Sequence, residues 1–310
     1  MDTDVSNDLP SMTNSFCIID VVNDTRLFKS FMKEWEEQEV YAVGLACEKI
    51  AAQGSKGGIG WRITGQGRTR RQSQRSQEIA GLVVENSDLL IVGMAVCWGG
   101  RDAYYINLRT TQEDAFSSSL STPPLQGAVP FENRVDSIKN SLLREREKTP
   151  IFRVWDAKNC MKLLAAAGLG FILNPTEDPR VASWMLDPGE KELNIYNLVM
   201  NYSAESLPLL EGVGSSWGLA SLGVNTNNPG SCRVRAATES VVVYHLMAAL
   251  RVQLQELGML QSFEDVEMPC VQTLACMELN GMGFSIQECE AQRSIMQRKA
   301  RSQQNRRSRK

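Results

Sequence analysis

The feature that most restricts this chain is its longest apolar run, Leu89 to Trp98 (LLIVGMAVCW). It is too short to span a bilayer as a helix, and it suits a strand buried in a sheet. Gly99 and Gly100 follow it, and then Ala103 to Leu108 (AYYINL) resumes the strand pattern. Two strand-like runs joined by a Gly-Gly turn predict a hairpin. Tyr41 to Cys47 (YAVGLAC) reads as a second buried strand, with shorter strand signals at Phe16–Val21 and Ile151–Trp155.

Helices are predicted around these strands. Asp24 is placed to cap one in which Leu27, Phe28, Phe31, Met32 and Trp35 recur at helical spacing. Others are expected over 135–146, over 157–167 with Gly168 as the stop, and from Asp178-Pro179 to Leu186. Further helices are expected over 193–202, from Ala237 to Leu257, from Glu267 to Leu279 and over 286–299. In the Ala237 helix, Val243, Leu246, Leu250, Leu254 and Leu257 form one stripe. Strands mixed with helices that gather towards the C-terminus make the class mixed α/β, built around one sheet.

Two stretches interrupt the pattern. Residues from 51 to about 87 open with a Gly-, Ser-, Gln- and Arg-rich segment, and residues 110–130 are Ser- and Pro-rich; both read as flexible insertions. The polar N-terminus, residues 1–14, reads as disordered and carries no secretory or transit signal. Net charge is −3, but seven basic residues and no acidic one lie between Arg298 and Lys310. The remainder holds 26 basic against 36 acidic residues, an acidic body with a basic tail over 301–310. Such a body is unlike an autonomous nucleic-acid-binding domain.

The chemistry-bearing motifs are sparse. There is no GxxxxGK[ST] loop, and the glycines of 57–67 lack the strand and helix that would hold a phosphate. His245 is the only histidine, which excludes zinc sites with several histidine ligands; it reads as a structural or surface residue. Eight cysteines without a CxxC pair predict reduced thiols of the cytosol or nucleus, with Cys270, Cys276 and Cys289 buried.

Specific strings then point to a family. YAVGLACEKI (41–50), LLIVGMAVCWGGRDAYY (89–105), DPRVASWMLDP (178–188), LPLLEG (207–212) and DVEMPCVQTLACMELNGMGFS (265–285) resemble family A DNA polymerases of the theta type. The resemblance runs from Phe16 to Met296 outside the two insertions. It implies an RNase H-like 3′–5′ exonuclease fold over 15–258, a mixed sheet flanked by helices. The first helices of a polymerase thumb and palm would follow over 259–300. The resemblance also implies a piece of a longer nuclear protein with a helicase-like region upstream. DNA and the missing thumb and palm helices would be its partners, and no membrane. Mg²⁺ would serve the full-length family, with no cofactor for this chain.

Active exonucleases of this superfamily hold two metal ions with four carboxylates. Here the resemblance carries the first D-x-E pair onto Leu45 and Cys47; a register moved by one gives Ala46 and Glu48. The second aspartate falls on Cys160, one turn after Asp156, and the Y-x-x-x-D motif falls on Arg235 and Glu239. Thiols and aliphatic chains are poor ligands for hard cations, so these five positions form a degenerate site without catalytic or metal-binding residues. Glu239 also has a helix-dipole explanation, as an acid in a first turn. The polymerase D-Y-S-Q and H-D-E strings do not occur. Three readings follow: a silent structural platform within a polymerase of DNA end-joining repair, an active exonuclease using Glu48, Asp156 and Glu239, or a passive nucleic-acid adaptor working through 51–81 and the tail. In the platform reading, Met268, Val271, Leu274 and Met277 present an apolar face to the missing helices.

Overall fold

The computed structural model describes residues 16–49, 81–85, 87–109, 128–143, 149–190, 194–211, 230–281 and 283–307. The N-terminal segment, most of both expected insertions and the last three residues of the basic tail lie outside the described residues. The strands are β1 (Cys17–Asp20), β2 (Val40–Lys49), β3 (Leu82–Val83), β4 (Leu89–Cys97), β5 (Asp102–Asn107), β6 (Ile151–Val154) and β7 (Thr176–Glu177). Their order is β1-β5-β4-β2-β6-β7, with β3 beside β4. β4 runs antiparallel to β2 and β5, whereas β6 runs parallel to β2 and β7. This is the mixed sheet that the resemblance implies, with the predicted hairpin as β4–β5.

The helices are α1 (Thr25–Glu37), α2 (Phe131–Leu143), α3 (Ala157–Ala166), α4 (Pro179–Leu186), α5 (Ile195–Tyr202), α6 (Leu207–Glu211), α7 (Gly230–Glu256), α8 (Leu260–Ser262), α9 (Met268–Asn280) and α10 (Ile286–Arg307). A π-helical turn, Phe263–Glu267, joins α8 to α9. Local chemistry sets several of the ends. Asp24 accepts from the Arg26 amide at 2.7 Å, satisfying a donor that α1 leaves open. Gly168 and Gly281 end α3 and α9 with φ of 75° and 69°, a conformation that costs glycine little.

The two faces of the sheet are packed differently. On one, Phe31 and Trp35 of α1 reach Tyr41 and Phe152 through ring contacts of 5.5–5.9 Å. Burying each such ring contributes about 2–3 kcal/mol. On the other face, the register pairs Ala42 with Cys97, Gly44 with Ala95 and Ala46 with Gly93. That floor of small residues lets the backbone of α7 lie close to the sheet. A Cβ at Gly44 would sit 2.1 Å from the Ala236 carbonyl oxygen. From Ala236 to Val243 α7 is buried all round, as a helix enclosed by other elements must be.

Several expectations are corrected. α7 starts seven residues before Ala237, because Cys232 and Arg233 are held by partners far away in sequence rather than by a local cap. Glu239 therefore lies in the third turn, and the dipole explanation for it fails. Leu257 leaves the predicted stripe and is 64% exposed just past the end of α7, where Gly258 turns the chain with φ 70°. Met268 is 2% exposed and belongs to the core, so it is not part of an outward face, while Leu274 and Met277 are exposed. Cys270 and Cys289 are exposed and Cys276 is half-buried, contrary to the buried thiols expected. Ordered backbone also begins within both spans read as insertions. Leu82 and Val83 pair with β4, and the Val129 amide donates to the Val22 carbonyl at 3.0 Å.

Contacts divide the chain into two compact units, Met1–Ala275 and Cys276–Lys310. The first contains the sheet and α1 to α8. The second contains the end of α9, the Gly281 turn and α10; Phe284 just before α10, and Ile286 and Met296 on it, are exposed.

Candidate functional site

β2, α3 and α7 bring four of the five degenerate positions into one buried neighbourhood. Cys47 lies near the end of β2, Cys160 in α3, and Arg235 with Glu239 one turn apart in α7; all four are buried. Burial, followed by the fields of Glu239 and Cys232, pushes the Cys47 thiol up to about 12. Burial raises Cys160 well above the ordinary thiol range, and Glu239, Cys47 and Asp156 add to the effect. Neither side chain supplies a thiolate near neutral pH, and the thiolate is the form that binds metal. Leu45 is buried two residues before Cys47 and has no donor atom in its side chain.

Glu239 is the surviving carboxyl of the set. Burial raises its pKa well above the usual carboxylate range, Arg235 pulls it down, and Asp156 and Asp178 push it up again. Its Oε1 has no hydrogen-bond partner among the described residues. The alternative carboxylate, Glu48, is engaged elsewhere. It accepts from Arg109 and from the Cys232 thiol, the latter at 3.0 Å.

The turn from β6 into α3 holds two more acids. Asp156 has φ 55° and ψ 61°, the one positive φ outside glycine among the described residues. This left-handed conformation is one that aspartate tolerates better than most residues. Its Oδ2 accepts from Asn159 Nδ2 at 2.8 Å and pairs with Arg180 Nη1 at 3.0 Å. Asp178 is fully buried and accepts from two amides, Ala157 at 2.8 Å and Arg180 at 2.9 Å. One carboxyl thus caps both α3 and α4. Burial pushes Asp178 up to about 6 despite these two bonds, and Asp156 contributes to the rise.

Reading the sequence identified Asp178 only as the residue that opens α4. Its second role, at the start of α3, depends on a contact 21 residues away. Arg109 and Arg233 were missed for the same reason. Arg233 binds Asp20 across 213 residues and lies over the Tyr105 ring at 5.6 Å. His245 donates from Nε2 to the Gly100 carbonyl, 2.6 Å away, and so pins α7 to the hairpin turn.

The donor set does not fit a pair of divalent cations. Such a centre needs several ionised oxygens converging on each ion. Here two thiols and one aliphatic chain stand at three of the four ligand positions that the resemblance implies, a guanidinium stands at the tyrosine position, and burial favours the protonated form of Glu239 at the fourth. Among the described residues, no three His, Cys, Asp or Glu side chains are grouped to hold a metal ion.

No family model matches the chain. It is 37% identical over 292 residues to DNA polymerase theta of Mus musculus, covering 93% of this chain and 11% of that protein. It is 32% identical over 203 residues to DNA polymerase theta of Drosophila melanogaster, covering 64% of this chain and 9% of that protein. The chain therefore spans about a tenth of the curated relatives it matches. Among solved structures, the POL domain of Pol1 from M. smegmatis, in complex with DNA primer-template and dNTP, aligns with a TM-score of 0.53 at 15% identity. That alignment covers 91% of this chain and 35% of the other, and at such identity it speaks for the fold alone. The mixed α/β fold is shared with that polymerase domain, and over 93% of its length this chain is homologous to a segment of DNA polymerase theta.

Proposed function

We propose that this chain is the exonuclease-like part of a longer theta-type DNA polymerase and acts there as a catalytically silent structural platform. The observation that carries this reading is the chemistry of the ligand positions, where Leu45, Cys47, Cys160 and Arg235 stand in place of oxygen donors and a tyrosine. Hydrolysis by a two-metal route requires ionised carboxylates at the first three of those positions. In the longer protein, DNA is the substrate of the polymerase part, Mg²⁺ serves that part, and the work is end-joining repair of broken DNA in the nucleus.

The exonuclease alternative would rely on Glu48, Asp156 and Glu239. It draws less support, since Glu48 is bound by Arg109 and Asp156 by Arg180. The adaptor alternative rests largely on basic residues of the first insertion and of the tail that lie outside the described residues. A test uses the purified chain, an end-labelled DNA single strand, and Mg²⁺ or Mn²⁺. The strand is expected to stay intact; shortening that Glu239→Ala abolishes would establish the exonuclease instead.

A further inference from the structure

The geometry points to the π-helical turn Phe263–Glu267 as a register lock that docks α9 beside the sheet edge, so that the sheet-bearing unit ends inside α9, at Ala275, and not at the Gly258 turn. This goes beyond the platform reading and does not depend on it. The Met268 amide donates to the Phe263 carbonyl, five residues back, where an α-helix would bond four back. Phe263 is 0% exposed and Met268 2%. On an unbroken α-helix residues five apart point roughly 140° away from each other, so the two could not enter one core together. The wider turn takes up the extra residue and brings both side chains back to the core side. Glu264, Asp265 and Val266 are left on the outside.

In that register α9 keeps one face on the unit. Met268, Gln272 and Ala275 follow at helical spacing, and Ala275 is the last buried residue of the helix. Gln272 Nε2 donates to the Asn174 carbonyl at 2.8 Å and to Thr176 Oγ1 at 3.3 Å, and so fastens α9 beside the edge strand β7. Arg251 of α7 binds Glu177 of β7 and, at 2.5 Å, Glu264 of the turn. A slip of one residue in the turn would rotate α9 by about 100°. That rotation carries Met268 out of the core and Gln272 away from Asn174. The lock is therefore the number of residues between Phe263 and Met268, more than the chemistry of any one of them.

The test is hydrogen exchange of the intact chain, read by mass spectrometry over α9 and over β2 and β4. A helix of 13 residues is marginal in water by itself, so slow exchange in α9 reports docking. In the parent, Val271 to Ala275 are expected to be protected; free exchange there would overturn the proposal. A chain lacking Val266, whose side chain is 53% exposed, loses one residue of the turn and little packing. It is expected to exchange about tenfold or more faster in α9 while β2 and β4 stay protected. Val266→Ala keeps the residue count and should match the parent. Unchanged protection of α9 after the deletion, or an equal loss in Val266→Ala, would overturn the lock. If the deletion unfolds the whole chain, Met268→Ala decides. It keeps the count and removes the side chain that the register delivers, so α9 is expected to be released with β2 and β4 intact. An α9 as protected in Met268→Ala as in the parent would then overturn the proposal.

Discussion

A single buried carboxyl shows how location decides chemistry at the residue scale. Asp178 stops at about 6 because burial outweighs the two amides that donate to it. Its folded-state value is above its ordinary 3.8, so between about pH 4 and 6 the folded chain keeps a proton that the unfolded chain has released. The contribution of Asp178 to stability is greatest below that window, falls as pH rises through it, and is level above it. A shift of about two units corresponds to roughly 3 kcal/mol over the window. Asp178→Asn keeps an acceptor for one of the two amides, turns its NH2 towards the other, and removes the titration. It is expected to flatten the fall in urea midpoint between pH 4 and 6, whereas a slope equal to that of the parent would assign the effect to another group. Asp178→Ala removes the cap from α3 and α4 together and should cost about 1–4 kcal/mol at pH 7, since each lost cap costs about 0.5–2.

For the elements, the close approach of α7 to β2 is the contact on which the site depends. It exists because Gly44 carries no side chain where the Ala236 carbonyl lies. Gly44→Ala would force helix and sheet apart, with an expected loss of about 1–3 kcal/mol in urea unfolding. The same variant should also disturb Cys232 and Glu239, which share the helix. Gly100→Ala is the control for glycine substitution as such. No heavy atom lies within 4 Å of its added Cβ, although its φ of 64° carries a backbone cost of its own. A Gly44→Ala chain as stable as the parent would show that α7 does not depend on this contact.

Across the whole molecule, the sheet edge is tied to the chain that leaves it by a run of alternating charges. Buried Glu177 of β7 accepts from Arg153 Nε at 2.8 Å and also binds Arg251 of α7, which reaches on to Glu264 in the π-helical turn. Arg153 also donates to the Tyr244 carbonyl and lies 5.2 Å over that ring. Removing one partner strands the others, so Glu177→Ala is expected to cost about 3–5 kcal/mol by equilibrium unfolding. A loss below about 1 kcal/mol would mean that water replaces the carboxylate. The sequence alone determined the strands β2, β4 and β5, the caps at Asp24 and Asp178, and the stop at Gly168. These are matters of composition and short-range pattern, which act over a few residues. It did not determine the start of α7, the two-residue strands β3 and β7, the burial of Met268, or the partners of Glu48, Glu177 and Arg233. Those were decided by contacts between residues up to 213 positions apart, for a charge or a methionine gives no sign in one dimension of the neighbour that will enclose it in three.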